Sequence, residues 1–232
     1  MAIMNDFHAA LHEAIAMMIT MDSDLGEIIA TSMGVSLTAV LLASLIGLPL
    51  GAIVALSNFP GRKAMVVSLN ALMGLPPVVV GLVVYLSLSR MGPLGTLGLL
   101  FTPTAMIIAQ WVLVTPIIAA LTRQIVADLW EEYGEQLRSL GTNQRTAVST
   151  LLWEGRFSLL TAILAGFGRA IAEVGAVMIV GGNIDHVTRV MTTTISLETS
   201  KGNLPLALGL GIVLITISLV VNAGVFMVRD KA

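Results

Sequence analysis

Cysteine is absent from this sequence and charged residues are scarce, and each shortage excludes a class of protein. With no cysteine among the 232 residues, disulfide bonds and thiolate metal sites are both excluded. Only 11% of the residues are charged, whereas about a quarter are charged in a soluble globular domain. Because 56% of the residues are also hydrophobic, the composition predicts an integral membrane protein.

Five apolar runs are long enough to cross a bilayer, since a helix of about 20 residues spans the hydrocarbon layer. Short polar segments separate these runs along the chain. The sequence therefore predicts an all-α membrane protein, a single domain of residues 1–232 with five transmembrane helices. The predicted spans are residues 28–56, 64–88, 104–121, 157–180 and 204–228.

Lysine and arginine are missing from the first 61 residues, and this absence indicates the orientation of the chain. Under the positive-inside rule the N-terminus lies outside, and five crossings then place the C-terminus inside. The same count puts residues 123–156 on the cytoplasmic side and residues 181–203 in an extracytoplasmic loop.

The N-terminal segment, residues 1–27, carries apolar residues at helical spacing but is too short and too polar to span the membrane. It is predicted to form a helix in the outer interface. His8 and His12 stand four residues apart, but the sequence positions no third ligand beside them, so no metal site is predicted.

Glycine and proline interrupt three of the predicted spans. Gly47 and Gly51 flank a proline in the first, Pro76 and Pro77 follow a glycine in the second, and Pro116 lies in the third. Backbone carbonyls freed at membrane depth are tolerated only against protein or a water-filled cavity. The interruptions therefore fit a transport pathway, and they fit packing kinks equally well.

The fourth span holds two ionisable residues at depth, Arg169 and Glu173, which lie four apart on one helical face. Charges inside a membrane usually pair with one another and face the interior of the helix bundle. A structural pair and a gating role both remain open. The hydroxyl-rich segment that follows could offer neutral hydrogen bonds to a passing anion, although ordinary loop composition explains it nearly as well. The candidate pathway residues are Pro76, Pro77, Glu173, Asn183, Thr192, Thr193 and Thr194.

The most informative segment is the polar island of residues 123–156. Residues 128–140 show helical periodicity, and Gly141 stands where a glycine ends a helix. Thr142 or Asn143 can then cap a second helix, which has Ala147 and Leu151 on its apolar side. A helix–glycine–helix element on the cytoplasmic side is suited to dock onto a partner.

This island resembles the cytoplasmic signature of ABC importer permeases, whose second helix docks into a groove of the ATPase subunit. Glu135 stands six residues before Gly141, as the signature requires, whereas Gln136 and Leu137 replace its two alanines. Residues 151–154 replace the end of the signature. The resemblance implies a docking set of Glu135, Gly141, Thr142, Asn143, Gln144, Arg145, Ala147, Val148 and Leu151.

Two further segments resemble the permeases for tetrahedral oxyanions, namely sulfate, molybdate and tungstate. They are LPPVVVG at residues 75–81 and GRAIAEVGAVMIVGGN at residues 168–183. Within that group, residues 183–194 and 197–203 look most like the tungstate-type permease. The sequence does not separate tungstate from molybdate or sulfate.

The resemblance implies an import complex in the cell (inner) membrane. It would contain two copies of this chain, two cytoplasmic ATPase subunits that bind ATP and magnesium, and an extracytoplasmic oxyanion-binding protein. This chain would then be no enzyme, bind no cofactor and contact the lipid bilayer but no nucleic acid. The rival classes are a self-contained secondary transporter or channel and an intramembrane enzyme, and the sequence shows neither inverted repeats nor a nucleophile motif.

Overall fold

The computed structural model describes residues 23–230, and all the regular structure in that range is helical. This confirms the all-α class. Most of the predicted interfacial helix, including His8 and His12, lies outside the described residues. The helices are α1 (Ser23–Leu56), α2 (Arg62–Met73), α3 (Pro77–Leu88), α4 (Pro103–Ser139), α5 (Gln144–Glu154), α6 (Arg156–Ile171), α7 (Gly175–Gly181), α8 (Met191–Lys201) and α9 (Leu204–Asp230), with a 3-10 turn at Gly95–Leu97.

Three of these helices, α1, α4 and α9, are each long and apolar enough to cross a membrane. Among the described residues the number of crossings rises to as many as five if each of two bent pairs of helices forms one crossing: α2 and α3 meet at 99°, and α5 and α6 meet at 76°. The described helices thus allow three to five crossings, a range that includes the predicted five, and the second and fourth predicted spans are not straight helices. The described fourth segment ends at Ile171 and resumes as the short α7 rather than running unbroken to residue 180.

The prolines differ in their effect on the backbone. Pro49 and Pro116 lie inside α1 and α4 without ending either helix. Among the three interrupted spans, only the second is divided into two helices, at Gly74–Pro77. Pro76 has an extended backbone there, and Pro77 begins α3. Of the three predicted interruptions, one is a true break.

Close packing of α1 against α4 forms the centre of the protein. A Cβ on Gly51 would overlap the carbonyl oxygen of Ala119 and would lie 2.8 Å from Cβ of Thr122. A Cβ on Gly47 would lie 3.0 Å from Cγ2 of Ile118. The two glycines, which stand four residues apart, therefore let the helix backbones approach, as small residues at this spacing do in pairs of membrane helices.

The fourth helix is longer than the sequence analysis predicts. Its 37 residues extend about 55 Å at 1.5 Å per residue, well beyond the ~30 Å hydrocarbon layer. The predicted third span (104–121) and the predicted cytoplasmic helix (128–140) are therefore one continuous helix. The physical reason is that residues 122–140 include neither proline nor any glycine but Gly134, so nothing ends the helix before Gly141.

Candidate functional site

The turn between α4 and α5 has the geometry that the sequence predicts. Gly141 adopts a left-handed backbone with φ of 67°. Its amide donates to the Arg138 carbonyl at 3.0 Å, and the Thr142 amide donates to the Leu137 carbonyl at 3.1 Å. This pair of bonds is the Schellman motif, which satisfies the last carbonyls of α4.

Asn143, rather than Thr142, caps the second helix. Its Oδ1 accepts a hydrogen bond from the Thr146 amide at 2.9 Å and another from the Thr146 hydroxyl at 3.0 Å. The cap and the Gly141 turn together fix the direction in which α5 leaves α4.

One face of α5 is packed firmly against the transmembrane body. Leu151 is buried in a cluster with Ala52 and Ala55 of α1 and with Val126 of α4, and Ala147 is buried as well. Val148 is half-buried beside the same cluster. These three predicted docking residues therefore hold the helix in place.

The opposite surface of this region is open. Glu135, Gly141, Asn143 and Arg145 are exposed there, as is Gln144, while Thr142 is half-buried. Two apolar side chains belong to the same region: Leu140 is 73% exposed and Trp153 is 70% exposed. Both side chains are therefore open to contact with a partner protein. We call Leu140, Asn143, Arg145 and Trp153 the outer face.

A second cluster of polar residues surrounds the break between α6 and α7. Nη1 of Arg169 donates to Oε2 of Glu173 at 2.6 Å, so the predicted pair is confirmed. The other carboxylate oxygen, Oε1, accepts from the amide of Ala176 at 3.0 Å, and the Glu173 carbonyl accepts from the Thr192 hydroxyl at 2.8 Å. Glu173 thus ties α6, α7 and α8 together.

A small polar cavity adjoins Glu173. Ser32, Ser36, Gln110 and Thr192 line it, and all four are buried. Nε2 of Gln110 donates to the Ala170 carbonyl at 3.0 Å, while its Oε1 has no partner among the described residues. The cavity measures about 10 Å³, room for one water molecule at most. A larger solute can enter only after the helices move.

The remaining candidate pathway residues lie near this cluster. A Cβ on Gly81 would lie 2.7 Å from Cα of Ala176, so α3 runs directly against α7. A Cβ on Gly175 would lie 2.9 Å from Cγ2 of Val78 and 3.7 Å from Oε1 of Glu173, so the first turn of α3, which begins at Pro77, lies near Glu173. The Thr193 hydroxyl donates to Oδ1 of Asn183 at 2.8 Å, and the Thr194 hydroxyl donates to the Val190 carbonyl at 2.8 Å.

All three threonines are buried in or beside α8, within the predicted extracytoplasmic segment 181–203. In this conformation their hydroxyls form hydrogen bonds within the chain. A role for these threonines in the pathway stays a prediction.

A family profile matches most of the chain. It covers residues 47–231 and is described as binding-protein-dependent transport system inner membrane component. The chain belongs to this family of ABC importer permeases. Membership places the permease in the inner membrane.

Two relatives resemble the permease over nearly its whole length. The tungstate uptake system permease protein TupB of Peptoclostridium acidaminophilum is 40% identical over 94% of this chain and 96% of its own. A probable anion ABC transporter permease protein of Haloferax volcanii is 40% identical over 88% of this chain and 90% of its own. The sulfate transport system permease protein CysW of Synechocystis is more distant, at 25% identity over 92% of this chain.

Sequence reasoning about the permease omitted Leu140 and Trp153 from the docking set. Leu140 follows the helical spacing of residues 128–140, which suggested an inward side chain, and Trp153 lies in the poorly matching end of the signature. A helical projection of α5 places Trp153 on the side opposite Ala147 and Leu151. The sequence therefore already indicated that Trp153 is exposed.

The predicted extracytoplasmic end of the permease carries an ion pair between distant segments. Nδ1 of His186 lies 2.9 Å from Oε2 of Glu27 at the start of α1. The hydrogen bond to Glu27 and the negative charge of Asp185 raise the pKa of His186 above its ordinary value. The contact is therefore strongest when the imidazole is protonated.

We expect this contact to weaken as the pH rises. A raised histidine pKa stabilises the contact fully below the ordinary value of about 6.5, and that stabilisation is lost as the pH passes the raised value. Replacing Glu27 with glutamine should lower the pKa of His186 in an NMR titration. The His186→Ala variant assigns the signal, and an unchanged titration in Glu27→Gln would show that the pair does not form.

Proposed function

We propose that this chain is the membrane-spanning subunit of an ATP-driven importer that carries tungstate inward. The match to a tungstate uptake permease at 40% identity over 94% of the chain supports the substrate. Membership in the binding-protein-dependent family supports a complex of two copies of this chain, two ATPase subunits and an extracytoplasmic binding protein. Hydrolysis of ATP belongs to the ATPase subunits.

The main observation in support of the proposal is the way α5 packs against the transmembrane helices. On its inner side Leu151 is buried in a cluster with residues of α1 and α4, and Ala147 is buried too, whereas Arg145 and Trp153 are exposed on its outer face. A helix held in this way passes a push on its outer face to the parts of α1 and α4 that it contacts. This geometry therefore suits the docking of an ATPase subunit onto the outer face of α5.

Selection of the anion falls mainly to the binding protein. Tungstate and molybdate have almost the same size and the same charge, so a pathway of hydroxyl and amide groups cannot separate them well. Molybdate and sulfate are therefore the competing substrates to include in any test, and a self-powered transporter is the competing mechanism.

The test is uptake into proteoliposomes that hold this chain and its ATPase subunit, with the binding protein outside. Labelled tungstate should accumulate only when ATP is inside and the loaded binding protein is present. An excess of sulfate should compete less well than an excess of molybdate. Uptake that continues without ATP or without the ATPase subunit would exclude the proposal.

Replacing Trp153 with alanine should weaken the binding of the ATPase subunit to this chain. The Trp153→Ala change deletes the largest exposed side chain of the outer face, and hot-spot residues of this type contribute about 2 kcal/mol or more to an interface. ATPase co-purification should fall by about thirtyfold, the equivalent of that free energy. The matched control is Ile215→Ala, because Ile215 is exposed on α9 and lies outside the cavity that α9 forms with Phe157 at the start of α6. Equal co-purification of both variants would remove Trp153 from the interface.

The proposed orientation can be tested with single cysteines, since the chain has none of its own. Cysteine at Asn143 should react with an impermeant thiol reagent only from the cytoplasmic side, and cysteine at Val187 only from the outside. Both positions are exposed in the structure. Reaction of both from one side would contradict the five-crossing orientation.

A further inference from the structure

Arg169 uses only part of its hydrogen-bonding capacity. A guanidinium has five N–H donors, and the described residues supply Arg169 with one hydrogen bond, from Nη1 to Glu173. The Glu173 side chain is 3% exposed, whereas the Arg169 side chain is 31% exposed. The carboxylate is therefore enclosed by the protein, and the cation faces outward from it.

The surface beside Arg169 is made of small residues. Ala165 and Gly168 are exposed on the face of α6 that adjoins it, and Ala172 is exposed just after the end of that helix. A Cβ on Gly168 would meet nothing within 4 Å, and its φ is not left-handed, so neither packing within the protomer nor backbone conformation requires glycine there.

Lipid is an unsuitable neighbour for this face. Guanidinium donors left unpaired against hydrocarbon at membrane depth cost several kcal/mol, so such side chains usually face a bundle interior or a water-filled cavity. Gly168, whose Cβ position is open, directly precedes Arg169 in α6.

We propose that Arg169 contacts the oxyanion during its passage, with Gly168 leaving room for it. This inference rests on the proposed function and names the contact within the pathway. A tetrahedral dianion accepts hydrogen bonds readily from a planar guanidinium. Glu173 cancels the charge of Arg169, so the pair attracts the anion at short range without holding it, as conduction requires. Glu173 is then a positioning residue that fixes the guanidinium and need not touch the anion.

The first test replaces Arg169 in the reconstituted complex. Arg169→Gln should lower tungstate uptake by about tenfold to a hundredfold, the range for loss of one hydrogen bond to a charged group. ATPase stimulation by the loaded binding protein should remain, because α5 and its turn are unchanged. Arg169→Lys keeps the charge and should recover part of the uptake. Full uptake by Arg169→Gln would overturn the proposal, and so would equal losses of uptake and of ATPase stimulation.

The second test asks whether Gly168 faces water. Gly168→Cys should react with an impermeant maleimide, and tungstate delivered by the binding protein should slow the reaction. Gly224→Cys is the matched control, because Gly224 is an exposed glycine of α9 that likewise has nothing within 4 Å. Cysteine at Ala165 repeats the measurement if Gly168→Cys does not assemble.

The outcomes separate this inference from the function on which it rests. A Gly168→Cys complex that imports tungstate with ATP but never reacts places lipid or the second copy on this face, and the inference is then wrong. Reaction without protection by tungstate shows a wet face that the anion does not touch, which also overturns it. Failure of the unmodified complex to import tungstate overturns the proposed function itself.

Discussion

The Gly51→Leu variant is expected to lose the folded permease almost completely. A side chain at this position must enter the space of the Ala119 carbonyl and of Thr122 Cβ, which belong to the backbone and a buried side chain of α4. Overpacking usually costs about 1–3 kcal/mol when side chains can shift, and here the backbone itself would have to move. We expect a cost at or above about 3 kcal/mol, with little purified protein and a markedly lower melting temperature.

Gly34→Leu is the control, because Gly34 lies in the same helix and a Cβ there meets nothing within 4 Å. The control should purify and melt like the unmodified protein in a fluorescence-based thermal assay. If Gly51→Leu melts at the same temperature as Gly34→Leu, the contact between α1 and α4 is not as close as described.

Glu173→Gln should be the second most damaging substitution. It removes the charge that compensates Arg169 and weakens the cap on the Ala176 amide, both at a buried position. Loss of one partner of a buried pair costs about 3–5 kcal/mol, and we expect about 2–3 kcal/mol because Arg169 is partly exposed. Thermal unfolding of the purified protein in detergent measures the loss.

A double-mutant cycle separates the pair from its surroundings. Arg169→Gln alone should cost less than Glu173→Gln, and the double variant should recover part of the loss, with a coupling energy of about 1 kcal/mol. A coupling energy of zero would mean that the two side chains do not stabilise each other. The Glu173 side chain would then act only through the Ala176 amide.

Local chemistry made part of the site predictable from sequence. Gly141 is required by the left-handed turn that ends α4, and Asn143 is a residue whose side chain caps helices, so both could be identified without knowledge of any distant contact. The Arg169–Glu173 pair was likewise predictable, because residues four apart share one face of a helix.

Features that depend on distant partners were not predictable in the same way. Thr192 looks like part of an outer loop in the sequence, yet it donates to the Glu173 carbonyl, and the Met191 amide donates to Ser32 of α1. Pro49 and Pro116 look like breaks, but neighbouring helices in a membrane let a helix continue through proline. Each of these outcomes is decided by tertiary packing.

The unbroken length of α4 gives the permease a rigid lever. The close contact with Gly47 and Gly51 falls at residues 118–123, near the middle of Pro103–Ser139, and so provides a fulcrum. For a rod of this length, a tilt of about 5° about its centre moves each end by roughly 2 Å in opposite directions. A push at the Ser139 end would therefore swing the Pro103 end the other way, and the two sides of the membrane would open in alternation without any bending of the helix.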